Sequence, residues 1–280
     1  MNFDATSAAL APAATTASIP ALVAPSTGRP AVSVLMYHQV GPFANRPAHK
    51  AAFCDIARFE AHMAWLRALR YHVIGLEDAW RGLFAGAPLP RRAVVLTFDD
   101  GYENFERWAW PVLQRNNFPA TLFAVAGQLG HHAGWLDRSF DPAPLLDAAA
   151  LRRLADEGVS IGSHSMSHAR LTTLPDAQAR HELRGSKALL EDALGRAVPD
   201  FCYPYGDHDE RVRDLTRAAG YRLALTCARG AANTANNAWE IPRKGISWGD
   251  NVLGLAWKLH AKNARKGGLA PASSAKPVLA

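Results

Sequence analysis

The chain has 280 residues, of which 49% are hydrophobic and 20% charged, and its formal net charge is +6. This length fits one large domain or two small ones, and the hydrophobic content suits a buried core and excludes a disordered chain. No apolar run reaches the roughly 18 residues that a bilayer-spanning helix needs. The three cysteines include no CxxC pair and exclude a disulfide framework.

The two ends of the chain differ in composition from its centre. Residues 1–30 are rich in Ala, Pro, Ser and Thr and lack the basic start and apolar core of a signal peptide, so we expect a flexible lead-in. Residues 258–280 carry much of the excess positive charge, and we expect a flexible basic tail, either solvated or in weak contact with a membrane surface. No segment interleaves aromatic residues with base-reading Arg or Lys, which argues against nucleic acid as a partner.

From residue 31 onward, short apolar runs alternate with helical patterns. The apolar runs predict strands within 31–38, 93–98, 120–127, 159–164, 200–206, 221–227 and 245–248. Helical periodicity predicts helices within 55–70, 103–117, 147–158, 175–195 and 209–220. We expect Pro111 to kink or restart the second helix, and Gly158 and Gly195 to end the third and fourth.

The strands are continuous apolar runs, which is typical of parallel sheets covered on both faces. Repeated strand–helix units predict an α/β fold, either a (β/α) barrel or a doubly wound sheet. No glycine-rich phosphate loop follows a strand, which argues against a nucleotide-binding sheet. We therefore predict a distorted or incomplete (β/α) barrel that forms a single domain over residues 31–257.

Polar residues collect where the predicted strands end. In (β/α) barrels the carboxyl ends of the strands hold the active site, so residues that are distant in sequence can share one pocket there. The residues at or just past these ends are His38, Asp99, Asp100, His164, His168 and Tyr205.

Two histidines and a carboxylate form a common ligand set for a catalytic divalent metal. His164 and His168 are four residues apart in "SHSMSH", and Asp99 and Asp100 are adjacent in "TFDDG". One carboxylate could bind the metal while the other accepts a proton from water. Taken separately, the histidines could be ordinary loop residues and the aspartates could cap a turn.

Three segments carry a resemblance to a known family. "TFDDG" at 97–101, "SHSMSH" at 163–168 and "YPYG" at 203–206 resemble, in this order, the polysaccharide deacetylase (NodB-homology) family. The similarity runs from about residue 31 to about residue 247. It implies a distorted (β/α) barrel and the metal-dependent hydrolysis of N-acetyl, less often O-acetyl, groups on sugars.

The resemblance also implies roles for particular residues. Asp100, His164 and His168 would be the metal ligands, and Asp99 would be the general base. The backbone N–H of Tyr205 would stabilise the oxyanion. The ion is usually zinc, sometimes cobalt or nickel.

The sequence departs from the family pattern at two points. Cys202 occupies the position where many members have an arginine that orients the base, so we expect a less firmly held base, with Cys202 packed in the strand. The "FCYPYG" segment instead resembles the branch of biofilm poly-N-acetylglucosamine deacetylases. Near the C-terminus, many members have a leucine two residues before a histidine. This sequence has no such match, because the leucine immediately precedes His260, which also lies in a basic segment. We expect His38 to act as general acid or to stabilise the intermediate; the alternative is a strand cap.

Three further residues are assigned to the substrate by position. Trp135 and Asp137 lie in a loop on the active-site face, where related loops carry a tryptophan that walls the sugar groove; for Trp135 the alternative is core packing. Tyr203, which precedes the motif proline, is assigned to the same groove.

The expected function is the release of acetate from an acetylated amino-sugar polymer or oligomer. Two alternatives remain: a deacylase or deformylase of a small or lipid-linked amino sugar, and a catalytically silent carbohydrate-binding protein. The absence of a clear signal makes the cytoplasm the default compartment, while a polymer substrate would place the protein outside it.

Overall fold

The computed structural model of the protein describes residues 31–43, 50–135 and 143–269. Its strands are β1 (Val32–Tyr37), β2 (Gln39–Gly41), β3 (Phe53–Asp55), β4 (His72–Val73), β5 (Ala93–Phe98), β6 (Thr121–Ala124), β7 (Ser160–Ser163), β8 (Asp200–Cys202), β9 (Leu223–Arg229) and β10 (Ile241–Gly245). Its α-helices are α1 (Ile56–Ala68), α2 (Leu76–Phe84), α3 (Trp110–Asn116), α4 (Ala148–Asp156), α5 (Asp176–Arg180), α6 (Ser186–Leu194), α7 (Glu210–Ala218) and α8 (Val252–Ala261). No helix in these ranges combines the length and hydropathy that crossing a membrane requires.

Seven parallel strands close into a barrel. The strand order is β1, β10, β9, β8, β7, β6 and β5, and β5 then pairs with β1. Six residue pairs make this closure, from Val32↔Ala93 to Tyr37↔Phe98. The short strand β4 pairs with the first half of β5, and β6 pairs with its second half. The prediction of a distorted (β/α) barrel is confirmed.

The central strand β5 explains why the strands read as continuous apolar runs. Its six residues are all buried. Ala93 and Val95 belong to one hydrophobic cluster, while Val94, Leu96 and Phe98 belong to a second. Because successive side chains point to opposite faces, both faces of β5 are covered and no polar alternation appears.

Some elements differ from the sequence prediction. The helix predicted over 175–195 is divided: α5 and α6 are joined by a π-helical segment, His181–Gly185. A second π-helical segment, Phe105–Ala109, precedes α3, and Pro111 lies in the first turn of that helix. The last strand lies at Ile241–Gly245, a few residues before the predicted 245–248. Strand β4 and helix α2 were not predicted from the sequence.

The folded domain extends beyond the predicted boundary at 257/258. Helix α8 crosses this boundary, and its Leu259 is buried. Further on, the backbone N–H of Lys266 donates to the carbonyl of Arg229 at 2.7 Å, and the reverse bond measures 2.9 Å. The prediction of a flexible tail from residue 258 is therefore wrong for residues up to Leu269.

Lys244 is a buried cation on β10. Its Nζ donates to Ser33 Oγ at 2.9 Å, to Asn263 Oδ1 at 2.7 Å and to the Leu259 carbonyl at 3.3 Å. None of these acceptors is charged, and burial lowers the pKa of Lys244 to about 8. The unfolded chain keeps this proton up to about pH 10. Between these values the unfolded state binds more protons, so the native protein gains stability as the pH rises.

We predict that Lys244→Met removes this pH dependence. The free energy of unfolding of the variant, relative to the wild type, should fall by about 2 kcal/mol between about pH 7 and about pH 10. Denaturant unfolding of both proteins across this range measures the difference. A difference that stays constant with pH would contradict the assignment.

Candidate active site

The polar residues that follow β1, β5, β7 and β8 lie at one end of the barrel. All barrel strands run in the same direction, so their carboxyl ends surround a single mouth. His38 follows β1 directly and therefore lies at this end of the barrel. The ring of Tyr205, which follows β8, lies 4.6 Å from the ring of His168.

Asp100, His164 and His168 form a buried cluster, each at most 6% exposed. Oδ1 of Asp100 lies 3.3 Å from Nε2 of His164 and 3.3 Å from Nε2 of His168. One ligand atom from each residue lies within 4.8 Å of the other two. Burial raises the pKa of Asp100, but the two imidazoles outweigh burial and hold that pKa well below its usual range.

A hydrogen bond fixes the orientation of His164. Its Nδ1 lies 2.7 Å from the carbonyl oxygen of Cys202. Because a carbonyl can only accept, Nδ1 carries a hydrogen, which leaves Nε2 as the ring nitrogen that faces the Asp100 cluster and could ligate a cation there. An imidazole held in this way by a second partner is typical of metal-ligating histidines.

The donor set fits a divalent cation. Within the described ranges, Oδ1 of Asp100 is buried and has no hydrogen-bond donor, although buried polar atoms are ordinarily paired. Two imidazole nitrogens and one carboxylate oxygen suit zinc, cobalt or nickel. A cation at this point would satisfy Asp100 and both rings at once.

A second group, Asp99, His164 and Cys202, is also close enough to bind an ion. This group is the poorer candidate because Arg243 already occupies it. The guanidinium of Arg243 donates to Asp99 and also reaches Cys202 Sγ at 3.0 Å. A metal there would meet a fixed positive charge.

Asp99 is held by a buried arginine that the sequence analysis missed. Nη1 of Arg243 donates to Oδ1 and Nη2 donates to Oδ2, both at 2.7 Å. Arg243 and Asp99 are 0% and 2% exposed at their side chains. Burial raises the pKa of Asp99, but the charge and hydrogen bonds of Arg243 outweigh it and leave the pKa below its ordinary value.

This pair corrects the expectation that Asp99 is loosely held. Cys202 does pack in the strand, fully buried, and its Sγ lies 3.5 Å from Asp99 Oδ2. The guanidinium comes instead from β10, where Arg243 makes the bidentate contact. The position of the arginine in the sequence differs from the family pattern, but Asp99 still has an arginine partner.

Four residues around the mouth have left-handed backbone conformations that are uncommon outside glycine. The φ angles are 78° at Asp100, 69° at Ser165, 63° at His168 and 60° at Tyr205. Each such residue costs on the order of 1–3 kcal/mol and persists where its surroundings hold it. At these residues the backbone turns sharply after a barrel strand, so the side chains that follow stay near the mouth of the barrel.

Glu182 holds the loop that carries both histidines, and it too was missed. Its Oε2 accepts from the backbone N–H groups of Met166 at 3.0 Å and Ser167 at 2.9 Å, and its Oε1 accepts from Ser167 Oγ at 2.6 Å. Ser165 Oγ accepts from the His168 N–H at 3.0 Å. Glu182 belongs to the π-helical segment between α5 and α6, which a helical pattern alone does not reveal.

Aromatic side chains surround His168. The Trp135 ring stacks on the imidazole with centroids 4.3 Å apart and planes 16° apart. Tyr205 contacts the imidazole edge-on and is 44% exposed. The guanidinium of Arg170 lies 4.2 Å from the centre of the Tyr205 ring. The exposed part of this cluster offers a flat surface beside the Asp–His group.

The other substrate predictions fare differently. Tyr203 is 0% exposed, and its hydroxyl donates to the Trp239 carbonyl at 3.2 Å. This burial corrects the assignment of Tyr203 to the groove: it is a core residue. Asp137 lies outside the described residues. Tyr102, not predicted, has a 1% exposed side chain close to Asp100, and burial followed by the Asp100 charge raises its pKa.

A parallel barrel with carboxylates and imidazoles at the carboxyl ends of its strands has the arrangement of a barrel enzyme. A family model described as Polysaccharide deacetylase matches residues 86–224. YxkH of Bacillus subtilis (strain 168), whose name assigns it to this family, is 28% identical over 224 residues, which cover 80% of this chain and 74% of that protein. Over residues 86–224, which include Asp99, Asp100, His164 and His168, the chain matches the polysaccharide deacetylase family.

Two further comparisons agree. The poly-beta-1,6-N-acetyl-D-glucosamine N-deacetylase of Escherichia coli (strain K12) is 27% identical over 214 residues, which cover 64% of this chain and 31% of that enzyme. This chain thus matches about a third of the E. coli protein. The Streptococcus pyogenes deacetylase PplD, solved in complex with acetate, shares the fold, with a TM-score of 0.71, 21% identity and coverage of 82% of this chain and 98% of that one.

We predict that Arg243→Lys lowers turnover by about 10- to 100-fold, the usual loss when a residue that orients a catalytic group is replaced. Lysine keeps the charge but cannot make the planar two-point contact with Asp99. Metal content and kcat on an acetylated oligosaccharide are the measurements, and metal content should stay unchanged.

Arg222→Lys is the matched control. Arg222 makes a similar two-point contact with Asp200, at 3.1 Å and 2.9 Å, but at the beginning of β8, the opposite end of the barrel. Both variants should lower the melting temperature, and only Arg243→Lys should lower kcat. Equal kcat losses would mean that Arg243 acts through stability alone.

Proposed function

We propose that this protein removes N-acetyl groups from an amino-sugar polysaccharide or oligosaccharide by metal-dependent hydrolysis and releases acetate. The observation that carries the proposal is the pairing of two adjacent carboxylates with different partners. Asp99 is bound by Arg243, while Asp100 faces two imidazoles. The family match and the E. coli relative, named for poly-beta-1,6-N-acetyl-D-glucosamine, support this reaction class.

Asp100, His164 and His168 would hold the cation, which we propose to be zinc, with cobalt or nickel as alternatives. When bound, such a cation polarises the acyl oxygen and lowers the pKa of a coordinated water. His164 and His168 would each supply one nitrogen ligand, and Asp100 would supply one oxygen ligand.

Asp99 is the proposed general base. Arg243 keeps the Asp99 carboxylate ionised and fixes its plane. A carboxylate has about four lone-pair sites, so the two bonds from Arg243 leave others free to accept a proton from the attacking water. The low pKa makes Asp99 a weak base in isolation, so its proposed role depends on activation of the water beside it.

Tyr205 and His38 are proposed to act on the acyl group and the leaving amine. The left-handed backbone at Tyr205 places this peptide unit in a sharp turn after β8, and its N–H is proposed to donate to the developing oxyanion. Nδ1 of His38 is buried and has no hydrogen-bond partner within the described ranges. An unpaired imidazole nitrogen at the end of β1, on the same side of the barrel as both aspartates, supports a proton-transfer role.

The aromatic cluster supports a sugar substrate. The ring of Trp135, stacked by one face on His168, and the partly exposed ring of Tyr205 border the Asp–His group, and aromatic rings suit the apolar faces of sugars. Arg170, stacked on Tyr205, adds hydrogen-bond donors at the rim. These residues are proposed to hold the sugar so that its acetamide reaches Asp99.

We predict that the protein releases acetate from N-acetylglucosamine oligomers, that a chelator abolishes this release, and that zinc or cobalt restores it. Asp99→Asn should lower kcat by about 100-fold or more and keep its bound metal. His164→Ala should lose the metal as well. Asp176→Asn, at an exposed helix terminus, is the control and should match the wild type.

Acetate release and metal content after chelation and reloading are the measurements. Release that persists without metal would overturn the metal-dependent mechanism. If metal is bound but no acetylated oligomer is hydrolysed, the polymer substrate is wrong, and lipid-linked or small formylated amino sugars become the next substrates to test.

We predict that His38→Ala lowers kcat by about 100-fold or more while metal content stays unchanged, because loss of a positioned acid slows departure of the amine. His72→Ala, which removes an exposed imidazole on β4, is the control. Steady-state kinetics and metal analysis of both variants decide the point. Near-normal turnover in His38→Ala would leave His38 as a strand cap.

A further inference from the structure

Helix α8 presents two large apolar side chains to solvent. Leu253 is 77% exposed and Trp257 is 62% exposed, whereas the other exposed large hydrophobic residues in the described ranges are at most 44% exposed. A spacing of four residues puts Leu253 and Trp257 on one face of the helix. Leu255 and Leu259 are buried on the other side, so α8 is anchored by one face and leaves the Leu253–Trp257 face uncovered.

The surroundings of this face are positively charged. Residues 251–280 contain four lysines, one arginine and no aspartate or glutamate. Lys258 pairs with Asp250 at 2.5 Å, and Arg265 pairs with Glu240 at 3.2 Å. Within the described ranges, Lys262 and Lys266 have no ion-pair partner among the salt bridges. Their charges are therefore not compensated by neighbouring carboxylates.

Neighbouring elements add to the positive charge. Near the C-terminal end of α8, Nε2 of His260 shares a hydrogen bond with the hydroxyl of Tyr71, at 2.9 Å. The guanidinium of Arg92 lies 5.8 Å from the centre of the same Tyr71 ring. On α1, which packs against α8, the exposed carboxylate Glu60 is already paired with Arg115 at 3.2 Å.

We propose that the Leu253–Trp257 face of α8, together with Lys262 and Lys266 in the segment that follows the helix, binds an anionic lipid surface. Tryptophan and leucine side chains insert at the boundary between headgroups and acyl chains, while lysines extend along that boundary to anionic headgroups. Each lysine near such a surface adds a favourable and salt-sensitive attraction. An exposed apolar helix face followed directly in the chain by unpaired lysines matches this surface better than it matches water.

The charge distribution favours a lipid surface over a second copy of the chain. In a two-fold dimer the same patch would meet itself, so the uncompensated lysines of both copies would be brought together. An anionic bilayer offers the opposite charge. Helix α8 follows β10 and therefore begins at the catalytic end of the barrel. A bilayer against the side of α8 would leave the mouth of the barrel uncovered.

Vesicle sedimentation tests the proposal without any assay of enzyme activity, so its outcome is independent of the proposed function. The full chain is mixed with phosphatidylcholine vesicles with or without phosphatidylglycerol, at low and high salt. We expect binding only to the anionic vesicles and its loss at high salt. Two double variants, Leu253→Ser/Trp257→Ser and Lys262→Glu/Lys266→Glu, should each bind the anionic vesicles at least about ten-fold more weakly than the wild type.

Leu189→Ser, which removes an exposed leucine on α6, is the matched control and should bind as the wild type does. Circular dichroism and melting temperature check that every variant is folded. Equal binding by all variants, or no binding to anionic vesicles, would overturn the proposal. A concentration-dependent dimer in sedimentation analysis that Trp257→Ser dissociates would also overturn it, because the face would then belong to a second copy.

Discussion

The buried contact between Arg243 and Asp99 is the interaction on which the geometry of the barrel mouth depends. A fully buried guanidinium costs several kcal/mol unless its donors are satisfied. Arg243 meets this condition by reaching three other strands from β10. It donates to the Thr226 carbonyl on β9 at 2.9 Å, to Thr97 Oγ1 on β5 at 3.2 Å, to both oxygens of Asp99, and it contacts Cys202 Sγ on β8. The position of the proposed base is therefore tied to the closure of the barrel.

This contact also explains how two adjacent carboxylates can be buried together. Side by side in one environment, Asp99 and Asp100 would repel each other and one would take up a proton. Arg243 neutralises Asp99, and the left-handed backbone at Asp100, with φ of 78°, turns the second carboxylate toward the histidines. The two groups thus have separate partners. Asp99 is paired with the permanent charge of Arg243. Asp100 faces the imidazoles of His164 and His168, with which it is proposed to bind a cation from solution.

The predictions from sequence succeeded where the signal was local. Continuous apolar strands and short motifs at strand ends located Asp99, Asp100, His164 and His168 on one face. Arg243 was missed because "IPRKG" contains two cations and does not look like a buried strand, and because its partner lies 144 residues away. Glu182 was missed because a π-helical segment leaves no separate periodicity. Tyr203 was misassigned because it directly follows β8 beside the motif proline, yet its side chain is fully buried and its hydroxyl donates to the Trp239 carbonyl.

The three residues proposed as metal ligands are held in place by the protein itself. The Cys202 carbonyl orients His164, Trp135 stacks on His168, and Glu182 binds the loop between them. These contacts offset the strain of the left-handed residues at Ser165 and His168. In small metal-dependent domains the ion organises its own ligands, and binding is coupled to folding. Here hydrogen bonds and ring stacking also hold the three residues, whose candidate ligand atoms lie within 4.8 Å of one another, so the protein itself contributes to the geometry of the proposed site.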